Sequence, residues 1–95
     1  MTLLTLNSTY SNIYTIMMRA KLKVTNIVTY EKAIGLTFNA VCKKEAYPAD
    51  GYDEDNTFSR WTPFAELKMQ IVNPDLLDKF EVGQEYYVDF TPVSK

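Results

Sequence analysis

Ninety-five residues suit one domain, since a single core rarely forms below about 50 residues and rarely splits below about 200. Forty-six per cent apolar and 23% charged residues are the balance of a chain that folds, and a net charge of −2 argues against coating nucleic acid by bulk charge. A single cysteine excludes an internal disulfide and a multi-thiolate zinc site, and the lack of histidine removes the commonest general base and metal ligand.

No charged side chain precedes Arg19. Residues 1–17 carry Leu3, Leu4, Leu6, Ile13, Ile16 and Met17, interrupted by Asn7, Ser8, Thr9, Ser11 and Asn12. The polar middle is wrong for a membrane span, and a secretory signal would need a basic start and an unbroken apolar stretch. The segment reads as a charge-free arm or an extra strand; a leader ahead of a start at Met17 or Met18 is the alternative. Uncharged arms settle on a sheet edge or a neighbouring subunit, so self-association through the arm is expected.

Residues 18–95 read as a single compact β domain. In Ala20-Lys21-Leu22-Lys23-Val24 apolar residues alternate with cations, the pattern of a half-buried strand. The same face is expected to continue through Val28 and Tyr30, with a bulge at Asn26. Ile34, Leu36, Phe38, Ala40 and Cys42 form one face of a second strand, after a hairpin at Glu31-Lys32-Ala33. Cys42 is therefore expected to be a small buried hydrophobe.

The stretch 43–62 reads as a long surface loop around Pro48, Gly51 and the acid cluster Asp50, Asp53, Glu54 and Asp55. Ala65-Glu66-Leu67-Lys68-Met69-Gln70-Ile71 is a third alternating segment and Glu85-Tyr86-Tyr87-Val88-Asp89-Phe90 a fourth. Between them Asn73 is a good N-cap, Pro74 suits the first helical position, and Asp75 complements the helix dipole, which predicts a helix of about six residues. Leu22, Val24, Leu36, Phe38, Leu67, Met69, Ile71, Leu77, Phe80, Tyr86, Val88 and Phe90 are expected to form one core. The fold class is mainly β: a small antiparallel barrel or curled sheet, OB-like closure included, with one short helix before the last strand.

Chemistry-bearing patterns are few. The acid cluster lacks the glycine at the sixth position and the glutamate at the twelfth that a calcium loop needs, so a solvated loop or a patch for a basic partner is expected. Gly35 and Gly83 form no phosphate loop, and no nucleophile stands in a catalytic pattern. A non-enzymatic protein with no cofactor and no metal is expected.

The aromatics are the remaining resource, because rings rimmed by charge mark protein–protein patches. Tyr52, Asp53, Glu54, Asp55, Phe58 and Trp61 are the candidate protein-contact residues. The alternative is single-stranded nucleic acid, stacked on aromatics with cations alongside, for which Lys21, Lys23, Arg60, Trp61 and Tyr87 are the candidates. Glu85 and Asp89 share the face of Tyr87 and oppose that alternative.

Residues 18–93 resemble small proteins encoded by tailed bacteriophages. The carrying residues are Met18-Arg19-Ala20-Lys21, Phe38-Asn39-Ala40-Val41, Tyr47-Pro48-Ala49-Asp50-Gly51 and Asp53-Glu54-Asp55-Asn56-Thr57-Phe58. Thr62-Pro63 and Asn73-Pro74 follow, then Phe80-Glu81-Val82-Gly83-Gln84-Glu85-Tyr86-Tyr87-Val88-Asp89-Phe90-Thr91-Pro92. The resemblance implies a viral origin and a place in the host cytoplasm or the virion. Two functions fit it: a virion component or host-inhibiting accessory factor working by protein contact, or a strand-binding small barrel of phage DNA metabolism.

Overall fold

The alternating segments form four strands, β1 (Met18–Thr29), β2 (Ile34–Ala40), β3 (Glu66–Ile71) and β4 (Glu85–Phe90), in a computed structural model that describes residues 16–94. All pair antiparallel in one sheet of order β3-β2-β1-β4. The fold is mainly β. It takes the form of a curled sheet: Leu67 of β3 and Val88 and Phe90 of β4 line one cleft although two strands separate them. No ladder joins β3 to β4, so among the described residues the expected alternative of a closed barrel, OB-like or otherwise, is not formed.

One face of the sheet is apolar because the period of two sends every second side chain inward. Ala20, Leu22, Val24, Ile34, Leu36 and Phe38 of the two central strands form the buried core. Leu67, Ile71, Tyr86 and Val88 of the edge strands, Phe58 of the long loop, and Leu77 and Phe80 ahead of β4 pack against it. The Tyr86 ring meets Phe38 edge-on at 6.0 Å and Phe80 at 5.9 Å, an arrangement suited to aromatic quadrupoles. Met69 and Phe90, expected in this core, are 46% and 43% exposed. Both lie on edge strands, which have a neighbour on one flank only.

The bulge expected at Asn26 is present: Val24 pairs with Phe38, but Asn26 pairs with Thr37. Its extra residue reverses the alternation, so Ile27 packs on the core while Val28 and Tyr30 are exposed. This corrects the expected continuation of the inner face through Val28 and Tyr30. Cys42 is exposed rather than buried, because β2 ends at Ala40 and the strand alternation no longer orients later side chains.

The expected six-residue helix is a single 3-10 turn, Pro74–Leu76, capped by the Asn73 side chain accepting from the Asp75 N–H at 3.0 Å. None of its residues is buried, so packing does not extend it beyond one turn. No helix among the described residues is long and apolar enough to cross a membrane. Most of the expected arm, residues 1–15, lies outside the described residues. Within them, the Met17 N–H donates to the Phe90 carbonyl at 2.7 Å, adding one rung beyond β1.

Candidate functional site

The long connection from β2 to β3 is organised by a shortage of backbone partners. β4 pairs with β1 from Met18 to Lys23, but on the other side β2 reaches only to Leu22. The N-terminal half of β1 therefore presents Arg19 and Lys21 backbone groups to an edge that β2 no longer covers, and such groups need partners.

The loop supplies them. The Asn56 Oδ1 accepts the Lys21 N–H at 2.8 Å, and the Val41 N–H donates to the Lys21 carbonyl at 2.9 Å. The Thr57 N–H donates to the Arg19 carbonyl at 2.9 Å, while its Oγ1 accepts the Arg19 N–H at 2.9 Å. Asn56 and Thr57 together take the place of a strand. Asn56, 1% exposed, also donates through Nδ2 to the Val41 carbonyl at 2.9 Å and to Asp53 Oδ2 at 3.2 Å. Asp53, 2% exposed, accepts the Asp55 N–H on Oδ1 at 2.9 Å.

This turn delivers Asp55 to the outer face of the sheet. Asp55 Oδ1 accepts the Tyr87 hydroxyl at 2.9 Å, and Asp55 Oδ2 lies 3.6 Å from Lys21 Nζ. Lys21 Nζ is equally 3.6 Å from Glu85 Oε1. The Arg19 guanidinium lies 4.1 Å above the Tyr87 ring and grips Asp89 with two bonds, of 2.7 and 2.9 Å. The Arg19 hydrogen bonds hold the Asp89 carboxyl below its ordinary range, and the same bonds raise Arg19. Desolvation pulls the Lys21 ammonium down, but the charges of Asp55 and Glu85 outweigh it and raise the group overall. The bond to Asp55, then its charge, raises the Tyr87 phenol.

A second group of side chains sits at the aromatic end of the loop. The Tyr52 N–H is held by Asp50 Oδ1 at 3.0 Å, and the Arg60 guanidinium stands 5.7 Å from the Tyr52 ring centre. The Trp61 N–H donates to the Gly51 carbonyl at 2.8 Å, and its indole lies on the Gly51 backbone. A Cβ on Gly51 would fall 2.4 Å from Trp61 Cδ2, and Gly51 has φ 74°, so only glycine fits beneath this ring. Trp61 itself has φ 55°, a left-handed conformation uncommon for a bulky residue. Even so, 52% of Trp61 and 43% of Tyr52 are exposed, with Phe64 more exposed still.

Of the expected protein-contact residues, Tyr52 and Trp61 share this exposed end, and Glu54 is exposed beside Lys43 at 3.6 Å. Asp55 is committed to Lys21 and Tyr87. Asp53 requires correction as a contact residue. Asp53 is buried as a hydrogen-bond hub of the turn and is not presented to a partner, whereas Phe58 is half-buried, packing against the core while lining an open cleft.

The residues for the nucleic-acid alternative divide into two groups. Lys21 and Tyr87 are cross-strand partners, whereas Arg60 and Trp61 make their contacts with Tyr52 and Gly51; Lys23 is exposed on β1. Lys21 faces two carboxylates, and one face of the Tyr87 ring is covered by Arg19. A depression of about 220 Å³ beside Asp55, lined by Cys42, Lys43, Lys44 and Glu54 among others, mixes both signs of charge and selects neither ion. Among the described residues no group of three or more Cys, Asp or Glu is placed to hold a metal ion.

Sequence reasoning missed Asn56, Thr57 and Arg19. The signal present was their type: Asn and Thr side chains imitate backbone groups, and Asp-rich turns favour such bonds. Comparison with protein-family models, with curated proteins and with solved structures finds no match to this chain.

Proposed function

We propose that this protein is a non-catalytic component or accessory factor of a tailed bacteriophage, working by contact with another protein through Tyr52, Arg60 and Trp61. The phage setting rests on the sequence resemblance. The observation that carries the contact reading is Trp61: a half-exposed indole held on Gly51 in a left-handed conformation. That conformation costs a non-glycine residue roughly 1–3 kcal/mol and is a feature that clusters at binding sites. A tryptophan beside an arginine set over a tyrosine is also the side-chain chemistry of interface hot spots. The pairing of Lys21 with Asp55 and Glu85 weighs toward protein contact and against a strand-binding platform.

The test places a photoreactive phenylalanine analogue at position 61 during infection and identifies cross-linked protein by mass spectrometry, alongside the protein content of purified particles. One cross-linked protein is expected, lost in the Tyr52→Ala, Arg60→Glu double variant at unchanged melting temperature. A stoichiometric amount in particles assigns a virion role and its absence an accessory role. No protein cross-link, together with a salt-sensitive change in Trp61 fluorescence on adding single-stranded DNA, would overturn the proposal in favour of nucleic acid.

A further inference from the structure

Past the bulge, Asn26 and Val28 of β1 and the following Tyr30 line the face of the sheet turned away from the core. The registers set their neighbours in two rows across three strands. Asn26 pairs with Thr37 and Thr37 with Lys68, while Val28 pairs with Gly35 and Gly35 with Gln70. Gly35 brings no side chain, so the middle of the second row is hollow, and a depression of about 460 Å³ lies over it. That is within the roughly 300–1,000 Å³ of small-molecule sites. Tyr30 forms a wall: its Cε2 would lie 3.6 Å from a Cβ on Gly35, and 56% of the residue stays exposed. The Tyr30 N–H donates to the Ala33 carbonyl at 2.8 Å, which fixes this wall in the β1–β2 hairpin.

We propose that this depression is a saccharide-binding subsite, in which a pyranose ring stacks on Tyr30 while its hydroxyls bond to Asn26, Thr37 and Gln70. Three features select this ligand. A sugar hydroxyl both donates and accepts, and two carboxamides and a hydroxyl answer both needs, whereas an anion site is built from donors. The negative face of an exposed tyrosine attracts the polarised C–H groups along a sugar ring. Among the described residues that line the depression Lys68 alone is charged, too little to follow the successive phosphates of a nucleic-acid strand. The Lys68 ammonium can donate to a hydroxyl or to a carboxylate, so neutral and carboxylated sugars share this chemistry. None of these residues belongs to the Tyr52, Arg60 and Trp61 group, so the two surfaces stand or fall separately.

For the test, the full-length chain is displayed on beads, because a single shallow subsite binds in about the millimolar range and needs avidity. The beads are applied to an array of neutral and carboxylated oligosaccharides, with deoxythymidine oligonucleotides for comparison. Saccharide binding is expected. The best-bound array member, titrated into isotope-labelled chain, should move the backbone amide signals of Gly35, Thr37 and Gln70 and the side-chain amide of Asn26. Tyr30→Ala and Gln70→Ala should each weaken binding about fivefold or more at unchanged melting temperature. Gly35→Ala should weaken it too, by filling the floor. Its methyl meets neighbours at 3.6 and 4.0 Å and its backbone is not left-handed, so the strand tolerates it. Lys68→Met separates the sugar classes, weakening a carboxylated ligand about tenfold and leaving a neutral one unchanged. No bound saccharide, tighter binding of the oligonucleotide, or signal shifts confined to other residues overturns the proposal.

Discussion

Asn56 stands to Lys21 as a neighbouring strand would: its Oδ1 accepts the Lys21 N–H at 2.8 Å, and its Nδ2 donates to the carbonyl of Val41. Val41 in turn bonds the Lys21 carbonyl, so three residues close a ring across the edge of β1. Leaving such buried groups unpaired costs about 1–3 kcal/mol each. Asn56→Leu should therefore lower unfolding free energy by about 2–4 kcal/mol in urea melts, more than its loss of side-chain polarity would cost on the surface.

The acid cluster should divide by burial rather than by charge. Asp53→Lys places a charge where 2% of the residue is exposed and removes the acceptors for Asp55 and Asn56. It should cost more than about 2 kcal/mol or prevent folding. Glu54→Lys, at an exposed position, should stay within about 0.5 kcal/mol of the parent. Thermal melts of the two variants check the contrast.

Trp61 is the single tryptophan, so its fluorescence reports on Gly51 directly. Gly51→Ala should shift that emission and destabilise the loop, because the added methyl meets the indole and the backbone has positive φ. Gly83 also has positive φ, at 98°, but nothing lies within 4 Å of an added Cβ. Gly83→Ala should carry the backbone strain alone and leave the Trp61 spectrum unchanged.

The outer-face network predicts opposite pH limbs. Asp89 is lowered in the folded state, so its stabilisation is present above its unfolded value near 3.8 and is lost as pH falls through the lower folded value. Tyr87 is raised from 10.0, so its stabilisation is present below that value and is lost as pH rises through the higher folded one. Asp89→Asn should flatten the stability profile below about pH 4, and Tyr87→Phe should flatten it above about pH 10. Chemical melts across that range read both effects, which high salt should shrink.

Truncations should rank by position in the sheet. Phe38→Ala, buried in the central strand β2, should cost about 3–5 kcal/mol. Phe90→Ala, 43% exposed on an edge strand, should cost less than half as much, as judged by urea midpoints.

Period-two alternation by itself determined the four strands, their inward residues from Ala20 to Val24 and from Ile34 to Phe38, and the bulge at Asn26, because the inside–outside division of a strand is written in adjacent residues. Tertiary structure decided what depends on neighbours distant in the chain. The bulge turned Val28 and Tyr30 outward, and the edge positions of β3 and β4 left Met69 and Phe90 half in water. The early end of β2 drew Asn56 and Thr57 onto β1, burying Asp53 and setting Asp55 beside Tyr87. Asn56 and Lys21 are 35 positions apart, and no local pattern carries the identity of a hydrogen-bond partner at that distance. A buried asparagine and an exposed one have the same sequence signature; only the unpaired backbone of β1 distinguishes them.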